Sequence, residues 1–203
     1  TFSVSSGSGG IYTVEIRSVS RKSFACTCVD FRINGLETCK HIEATLLHLE
    51  ARHRRLFREA QNRETPFVDI IPDPAGDTLR IEANVNGQHR HWKLFFTPDG
   101  RLNGEPEETL DALRKAQIPN LRISQEVAPW LQARRQLQER RALLHEYEQK
   151  VQSGEWPAQE TRVPLFPYQR EGMLHLAFKE RALLADEMGL GKTVTAATIS
   201  KIN

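Results

Sequence analysis

Apolar and polar side chains alternate in part along residues 11–17 (Ile-Tyr-Thr-Val-Glu-Ile-Arg), and residues 23–31 are β-branched and aromatic. This pattern predicts two short strands with a turn near residues 18–22. Thr38 precedes a helical pattern running to about residue 60, in which Ile42, Leu46, Leu49 and Leu56 share a stripe and charges fill the other side. The first unit is therefore read as ββα. Residues 67–71, 78–84 and 92–97 look like strands, punctuated by Pro74-Ala75-Gly76-Asp77, Asn86-Gly87 and Pro98-Asp99-Gly100. Residues 106–117 form a short helical pattern with Leu110 and Leu113 facing inward.

The longest helical pattern covers residues 126–152, with Pro129 tolerated in its first turn. Trp130, Leu137, Leu144 and Val151 recur at sevens, but the alternate seam holds Ala133, Arg140 and Tyr147. An Arg in that seam and fewer than four heptads favour a spacer helix packed on a neighbour over a free coiled coil. Residues 154–167 carry three Pro and read as a linker. The remaining pattern is helix (168–179), strand (182–185), Gly-rich loop (186–191) and helix (192 onwards).

The composition, 39% hydrophobic and 27% charged over 203 residues, suits a globular chain of one large domain or two small ones. No apolar run approaches the length of a membrane span, which points to no membrane partner. Residues 1–10 are Ser/Gly-rich, without the basic and apolar regions of a signal peptide. The chain does not begin with Met, which suggests that a start has been cut away or was never captured. A net charge of +2 neither requires nor excludes nucleic acid, since a basic face can hide in the total. Three Cys without a secretion signal argue against a disulfide scaffold and for a reducing compartment.

Those Cys are clustered. Cys26 and Cys28 are followed, after ten residues, by Cys39 and His41. Three thiolates and an imidazole are a normal tetrahedral Zn²⁺ set. Residues 26 and 28 point to one face if they lie on a strand. Cys39 and His41 open the helix, where exposed amides and the dipole favour thiolate. A ββα unit this small has little core, so metal would supply much of its folding energy. The arrangement is similar to the SWIM zinc finger, Cys-x-Cys-x(n)-Cys-x-His, in all four ligands. The blander reading is three buried, reduced Cys and a surface His. His48, His53, His89 and His91 have no thiolate or carboxylate at fitting spacing and are read as ordinary or exposed His.

Met188-Gly189-Leu190-Gly191-Lys192-Thr193 lies between an apolar run and a helical stretch, the setting a phosphate loop requires. The glycines let successive N–H groups turn toward phosphate oxygens, and the following helix adds its dipole. Lys192 would reach the β/γ-phosphates, and the Thr193 hydroxyl would ligate Mg²⁺. The strict G-x-x-x-x-G-K-T pattern has Gly where this chain has Asp186. The alternative is a chance Gly turn. The stretch from Asp186 to Thr193 resembles motif I of the Swi/Snf-type helicase-like ATPases of superfamily two, where Asp is usual at that position. About seventeen residues upstream, Phe166-Pro167-Tyr168-Gln169-Arg170-Glu171-Gly172 resembles that family's Q-motif entry. The resemblance implies that Gln169 contacts the adenine edge, a task suited to an amide with a donor and an acceptor in one plane. It covers residues 164–203. The family's Asp-Glu-x-His box, second RecA-like lobe and arginine finger are absent from these residues, so the 203-residue chain is expected not to turn over ATP.

The expected fold class is α+β with α/β character: a small ββα zinc-binding module, a mixed α/β connector with a long helix, and the start of a RecA-like P-loop domain. The expected divisions are 1–63 (SWIM-type module), 64–125 (β-rich connector), 126–163 (long helix and linker) and 164–203 (first part of the ATP-binding domain). The resemblances imply the N-terminal part of an ATP-dependent helicase or translocase that hydrolyses ATP to move along duplex DNA. The expected ligands are Zn²⁺ on Cys26, Cys28, Cys39 and His41, and ATP with Mg²⁺ on Gln169, Gly189, Leu190, Gly191, Lys192 and Thr193. DNA, and a protein partner through the SWIM module, complete the expected partners. A bacterial-type, cytoplasmic and nucleoid-associated setting is expected. Arg52, Arg54, Arg55, Arg58 and Arg63, and Arg134, Arg135, Arg140 and Arg141, mark two helices. These faces either neutralise phosphates or are solvated and laced by pairs such as Glu50–Arg54 and Glu59–Arg63. Trp92, Phe95 and Phe96 could stack bases, but aromatics on a strand are more often core. The competing functional class is a zinc-dependent DNA- or protein-interaction module with a non-functional phosphate loop.

Overall fold

The computed structural model describes residues 1–7, 9–82, 92–156, 164–179 and 182–199, without the side chains of Trp92 and Lys93. The chain divides into two compact units, Thr1–Leu131 and Gln132–Asn203. The fold is mixed α+β, as the sequence predicts. No described helix is long and apolar enough to cross a membrane.

The first unit opens with an antiparallel sheet of β1 (Phe2–Ser5), β2 (Ile11–Ser18) and β3 (Ser23–Cys26), in that order. β1 is one strand more than the sequence pattern suggests. Its alternation is carried by only Phe2 and Val4, which pair with Val14 and Tyr12. β2 and β3 slip register between Ile16 and Ser18. Arg17 is thus the extra residue of a bulge, a feature that re-aims a side chain. Arg17 and Ser18 are consequently both buried, against the alternation of a regular strand.

β3 does not run to residue 31 as expected. It ends at Cys26, and α1 (Val29–Ile33) follows, with Cys28 as its N-cap. The single helix expected to about residue 60 is also broken. α2 (Lys40–Arg52) and α3 (Arg54–Asn62) meet at His53, whose φ of −131° and ψ of 43° are not helical. The break resets the helical phase. Ile42 is buried on α2, but Leu56 is exposed and Phe57 is the inward residue of α3. The core of this part is Val14, Ile42 and the three Cys themselves, with Tyr12, Phe31 and Leu46 against them.

A second sheet has the order β5-β4-β6, with β4 (Val68–Pro72) antiparallel to β5 (Leu79–Glu82) and parallel to β6 (Leu121–Ile123). The expected strand at residues 92–97 is instead α4 (Trp92–Phe95), followed by one bridge from Phe96 to Leu102. A full strand there has no ladder to join. Phe96 is buried and Phe95 packs beside it, so both belong to the core. α5 (Pro106–Ala116) begins with Pro106 in its first turn and ends on Gln117 in the left-handed region. Its Leu110 and Leu113 pack with Ile70, Leu79 and Val127, as their spacing predicts. The Asn86-Gly87 turn, His89 and His91 lie outside the described residues.

α6 (Val127–Gln152) carries the boundary between the units. Leu137 and Leu143 are exposed in its middle. In the second unit its Tyr147, from the seam holding Arg140, is the deeply buried residue and packs on Trp156 and Phe178. α7 (Pro167–Ala177) and α8 (Lys192–Ile199) pack together, with Gly172 against Thr195 and with Met173, Thr195 and Thr198 buried. The expected strand at 182–185 is not formed, because no described strand of this unit is available to pair with it.

Candidate metal centre and phosphate loop

Cys26, Cys28, Cys39 and His41 converge, all buried, with their ligand atoms within 4.8 Å of one another. Each arrives by a different local device. Cys26 ends β3. Cys28 caps α1, its sulfur accepting from Phe31 N–H at 3.3 Å, so it reaches the site from a helix end and not from the expected strand. Cys39 is the N-cap of α2, and its extended backbone leaves the thiol facing the cluster. His41 follows in the first turn.

The Nδ1 atom of His41 lies 3.8 Å from Cys26 Sγ and 3.9 Å from Cys39 Sγ. A tetrahedral zinc ion has S···N edges of about 3.6 Å and S···S edges of about 3.8 Å, from bonds of about 2.3 and 2.0 Å. The four donors therefore fit such an ion in chemistry and in spacing. Burial pushes the Cys26 thiol up from 9.0 to about 12 and also raises Cys39. Without a cation these sulfurs are protonated at neutral pH; a bound Zn²⁺ would hold them as thiolates.

His41 Nε2 is buried and has no hydrogen-bond partner among the described residues. A metal-bound imidazole usually donates its second N–H to an outer partner. Here the ring is instead stacked on Tyr12, with centroids 4.2 Å apart and planes inclined by 28°. A Cβ on Gly10 would lie 3.0 Å from the Tyr12 hydroxyl, so Gly10 and His41 hold the tyrosine between them. Sequence reasoning passed over Tyr12 in this role; the available signal was its place on β2, two residues before the buried Val14. His48 and His53 are exposed and join no metal-type cluster among the described residues.

In the second unit the loop before α8 has Gly189 at φ +87° and Gly191 at φ +79°, conformations that L side chains rarely adopt. Gly189 and Leu190 are exposed. Among the described residues, the N–H groups of residues 189–193 donate to no protein acceptor, as expected at 192 and 193 for the first turn of α8, with 189–191 in the loop before it. Lys192 Nζ donates to the carbonyls of Asp186 (2.7 Å) and Glu187 (2.8 Å), which folds the side chain back across its own loop. Thr193 is exposed in the first turn of α8.

Gln169 is buried and joins this loop to α7. Its Oε1 accepts from Phe166 N–H at 3.1 Å, closing the helix start, and its Nε2 donates to Leu190 O at 3.1 Å. Each half of the amide retains one further hydrogen-bonding position. The structure thus brings Gln169, Leu190, Gly191 and Lys192 together, although 21 residues separate Gln169 from Leu190. Beside Gln169, the rings of Phe166 and Tyr168 are exposed and stacked, 5.7 Å apart and inclined by 6°.

A curated protein shares part of this sequence. A stretch of 38 residues is 58% identical to the SWI/SNF-related matrix-associated actin-dependent regulator of chromatin subfamily A-like protein 1 homolog of Caenorhabditis elegans. That match covers 18% of this chain and 6% of the relative. It ties the chain to a Swi/Snf-related protein over that stretch. No family model matches the chain. No solved structure matches it.

Proposed function

We propose that the chain is part of a Swi/Snf-type ATP-dependent nucleic-acid translocase, with a zinc-stabilised module preceding the first segment of its nucleotide-binding domain. The observation that carries this reading is the loop at 186–193. Two glycines of positive φ lead into a helix, with free amides, Lys192 and Thr193 at the bend. Such a bend favours a triphosphate through amide donors, the helix dipole and the lysine charge. In this reading Gly189, Leu190 and Gly191 cradle phosphate, Lys192 exchanges its loop carbonyls for β/γ-oxygens, and Thr193 meets Mg²⁺. Gln169 uses its remaining donor and acceptor on the adenine edge, and Phe166 and Tyr168 offer the base an aromatic surface. Cys26, Cys28, Cys39 and His41 hold Zn²⁺, which supplies folding energy and takes no part in phosphoryl transfer. DNA is the proposed polymer, and the zinc module the proposed contact for a protein partner.

Calorimetric titration with a non-hydrolysable ATP analogue and Mg²⁺ tests the reading. The wild type is expected to bind and Lys192→Ala to lose that binding. Phosphate release from ATP by the 203-residue chain is expected to stay at background, because phosphoryl transfer needs charge-stabilising groups that these residues do not carry.

A second reading is favoured by the lysine itself. Lys192 is already satisfied by Asp186 O and Glu187 O. If that closed arrangement persists, the protein is a zinc-dependent interaction module with a non-functional loop. It would then show no analogue binding but chelator-sensitive binding to DNA or protein.

A further inference from the structure

We propose that the arginine-bearing arc of α3 is a binding site for the phosphodiester backbone of duplex DNA. The proposal rests on the reading that this chain acts on DNA and gives that reading a location.

Residues 52–63 hold five Arg against one Glu, whereas the whole chain carries +2. The remainder is therefore net negative, although Arg134, Arg135, Arg140 and Arg141 form a second basic stretch on α6. A helix advances by about 100° per residue, so Arg54, Arg58, Asn62 and Arg55 fall within an arc of about 100°. Phe57 lies outside that arc and is buried, which anchors the helix while the arginines stay exposed. Arg54, Arg55, Arg58, Glu59, Asn62 and Arg63 border an open, shallow surface of this helix.

The acids nearby do not neutralise this surface. Arg55 meets Glu59 at 3.6 Å, a highly exposed pair of small worth. The expected pairs Glu50–Arg54 and Glu59–Arg63 are not formed among the described residues, and Arg54, Arg58 and Arg63 make no ion pair there. The arginines were therefore legible as a cluster, but not as a cluster in which Glu59 alone pairs with one of them among the described residues.

The chemistry favours repeated phosphates. Cβ atoms four residues apart on a helix stand about 6 Å apart, so neighbouring guanidinium groups can meet successive phosphates of one strand. Arginine forks bind phosphate oxygens in pairs. The arc presents no aromatic side chain for stacking on bases, so binding is independent of sequence and steeply dependent on salt.

The test is fluorescence anisotropy of a labelled duplex of about 20 base pairs with the full zinc-loaded chain, over a salt series from about 50 mM. Arg54→Gln/Arg55→Gln/Arg58→Gln keeps good helix formers at exposed positions of α3, and its zinc content and circular dichroism are compared with wild type. Affinity is expected to fall at least about tenfold, and the slope of log K against log salt to become shallower by about 2–3, near 0.9 per lost phosphate contact. Arg135→Gln/Arg141→Gln/Lys179→Gln removes equal charge elsewhere and is expected to leave that slope unchanged. An α3 variant that binds like wild type, or equal losses in the two triple variants, overturns the site and leaves the DNA reading standing. A wild type that ignores duplex but binds a polyglutamate peptide overturns both, in favour of an acidic protein partner. None of these outcomes bears on the Lys192 titration.

Discussion

A Cβ added to Gly191 would stand 2.5 Å from Nε2 of Gln169, closer than packed atoms approach. Gly191 also has φ +79°, so two separate constraints select glycine. Gly191→Ala is expected to lower analogue affinity and to destabilise the second unit by about 1–2 kcal/mol from backbone strain alone. Gln169→Ala combined with Gly191→Ala removes the clash but not the strain. Because Gln169→Ala also loses the two hydrogen bonds of the amide, the double variant is compared by urea titration with Gln169→Ala alone; adding Gly191→Ala to that background should cost less than in wild type, the remaining cost being the strain. No remaining cost would mean that the positive φ matters little.

The Tyr12–His41 stack predicts that Tyr12 positions the His41 ring at the candidate metal centre. Tyr12→Ala is expected to lower zinc affinity about 10- to 100-fold, the range for losing support around a ligating His. Tyr12→Phe keeps the ring and should restore affinity to near wild type. Competition with a chromophoric chelator reads the affinity, and the absorption of the cobalt-substituted protein shows whether coordination by three thiolates and one imidazole survives.

The raised thiols give the metal-free protein a definite pH response. Burial lifts the Cys26 thiol from 9.0 to about 12 and lifts Cys39 in the same direction. A group with a raised folded pKa contributes stability below its unfolded value and loses it as pH climbs through the folded one. The metal-free chain should therefore lose stability between about pH 9 and 12. Zinc binding near neutrality should release protons, and affinity should fall as pH is lowered. Urea midpoints with and without chelator, across pH, check the first; calorimetry in buffers of different ionisation enthalpy checks the second.

Arg17 fastens the sheet that carries Cys26 to the rest of the first unit. It is buried at the β2 bulge and donates to Ser124 Oγ (3.0 Å), Glu126 Oε2 (2.8 Å), Ser23 Oγ (2.8 Å) and Phe24 O (2.9 Å). Glu15 and Glu82 stand within 3.4 Å of the same guanidinium. Arg17→Ala leaves three carboxylates facing one another without their cation and should cost about 3 kcal/mol. Arg17→Lys keeps the charge but cannot reproduce the fork, so a smaller loss is expected. Hydrogen exchange of β2 and β3 amides distinguishes loosening of this junction from loss of the metal site.

Residue identity and spacing were enough to mark the cluster of Cys26, Cys28, Cys39 and His41, the glycine bend before α8, the helices bearing Leu110 and Tyr147, and a mixed α+β chain. These depend on donor chemistry, glycine conformation and short-range periodicity, all of which are local. The tertiary structure alone decided that β3 stops at Cys26, that the helix breaks at His53 and turns Phe57 inward, and that residues 182–185 form no strand. It also decided that Arg17, a charged residue on a strand, is buried against Glu126, 109 positions away. Strand pairing, helix breaks and buried charge depend on what the far chain brings alongside. That partner cannot be read from the neighbours of a residue, because the free energy that selects it comes from contacts between segments distant in sequence.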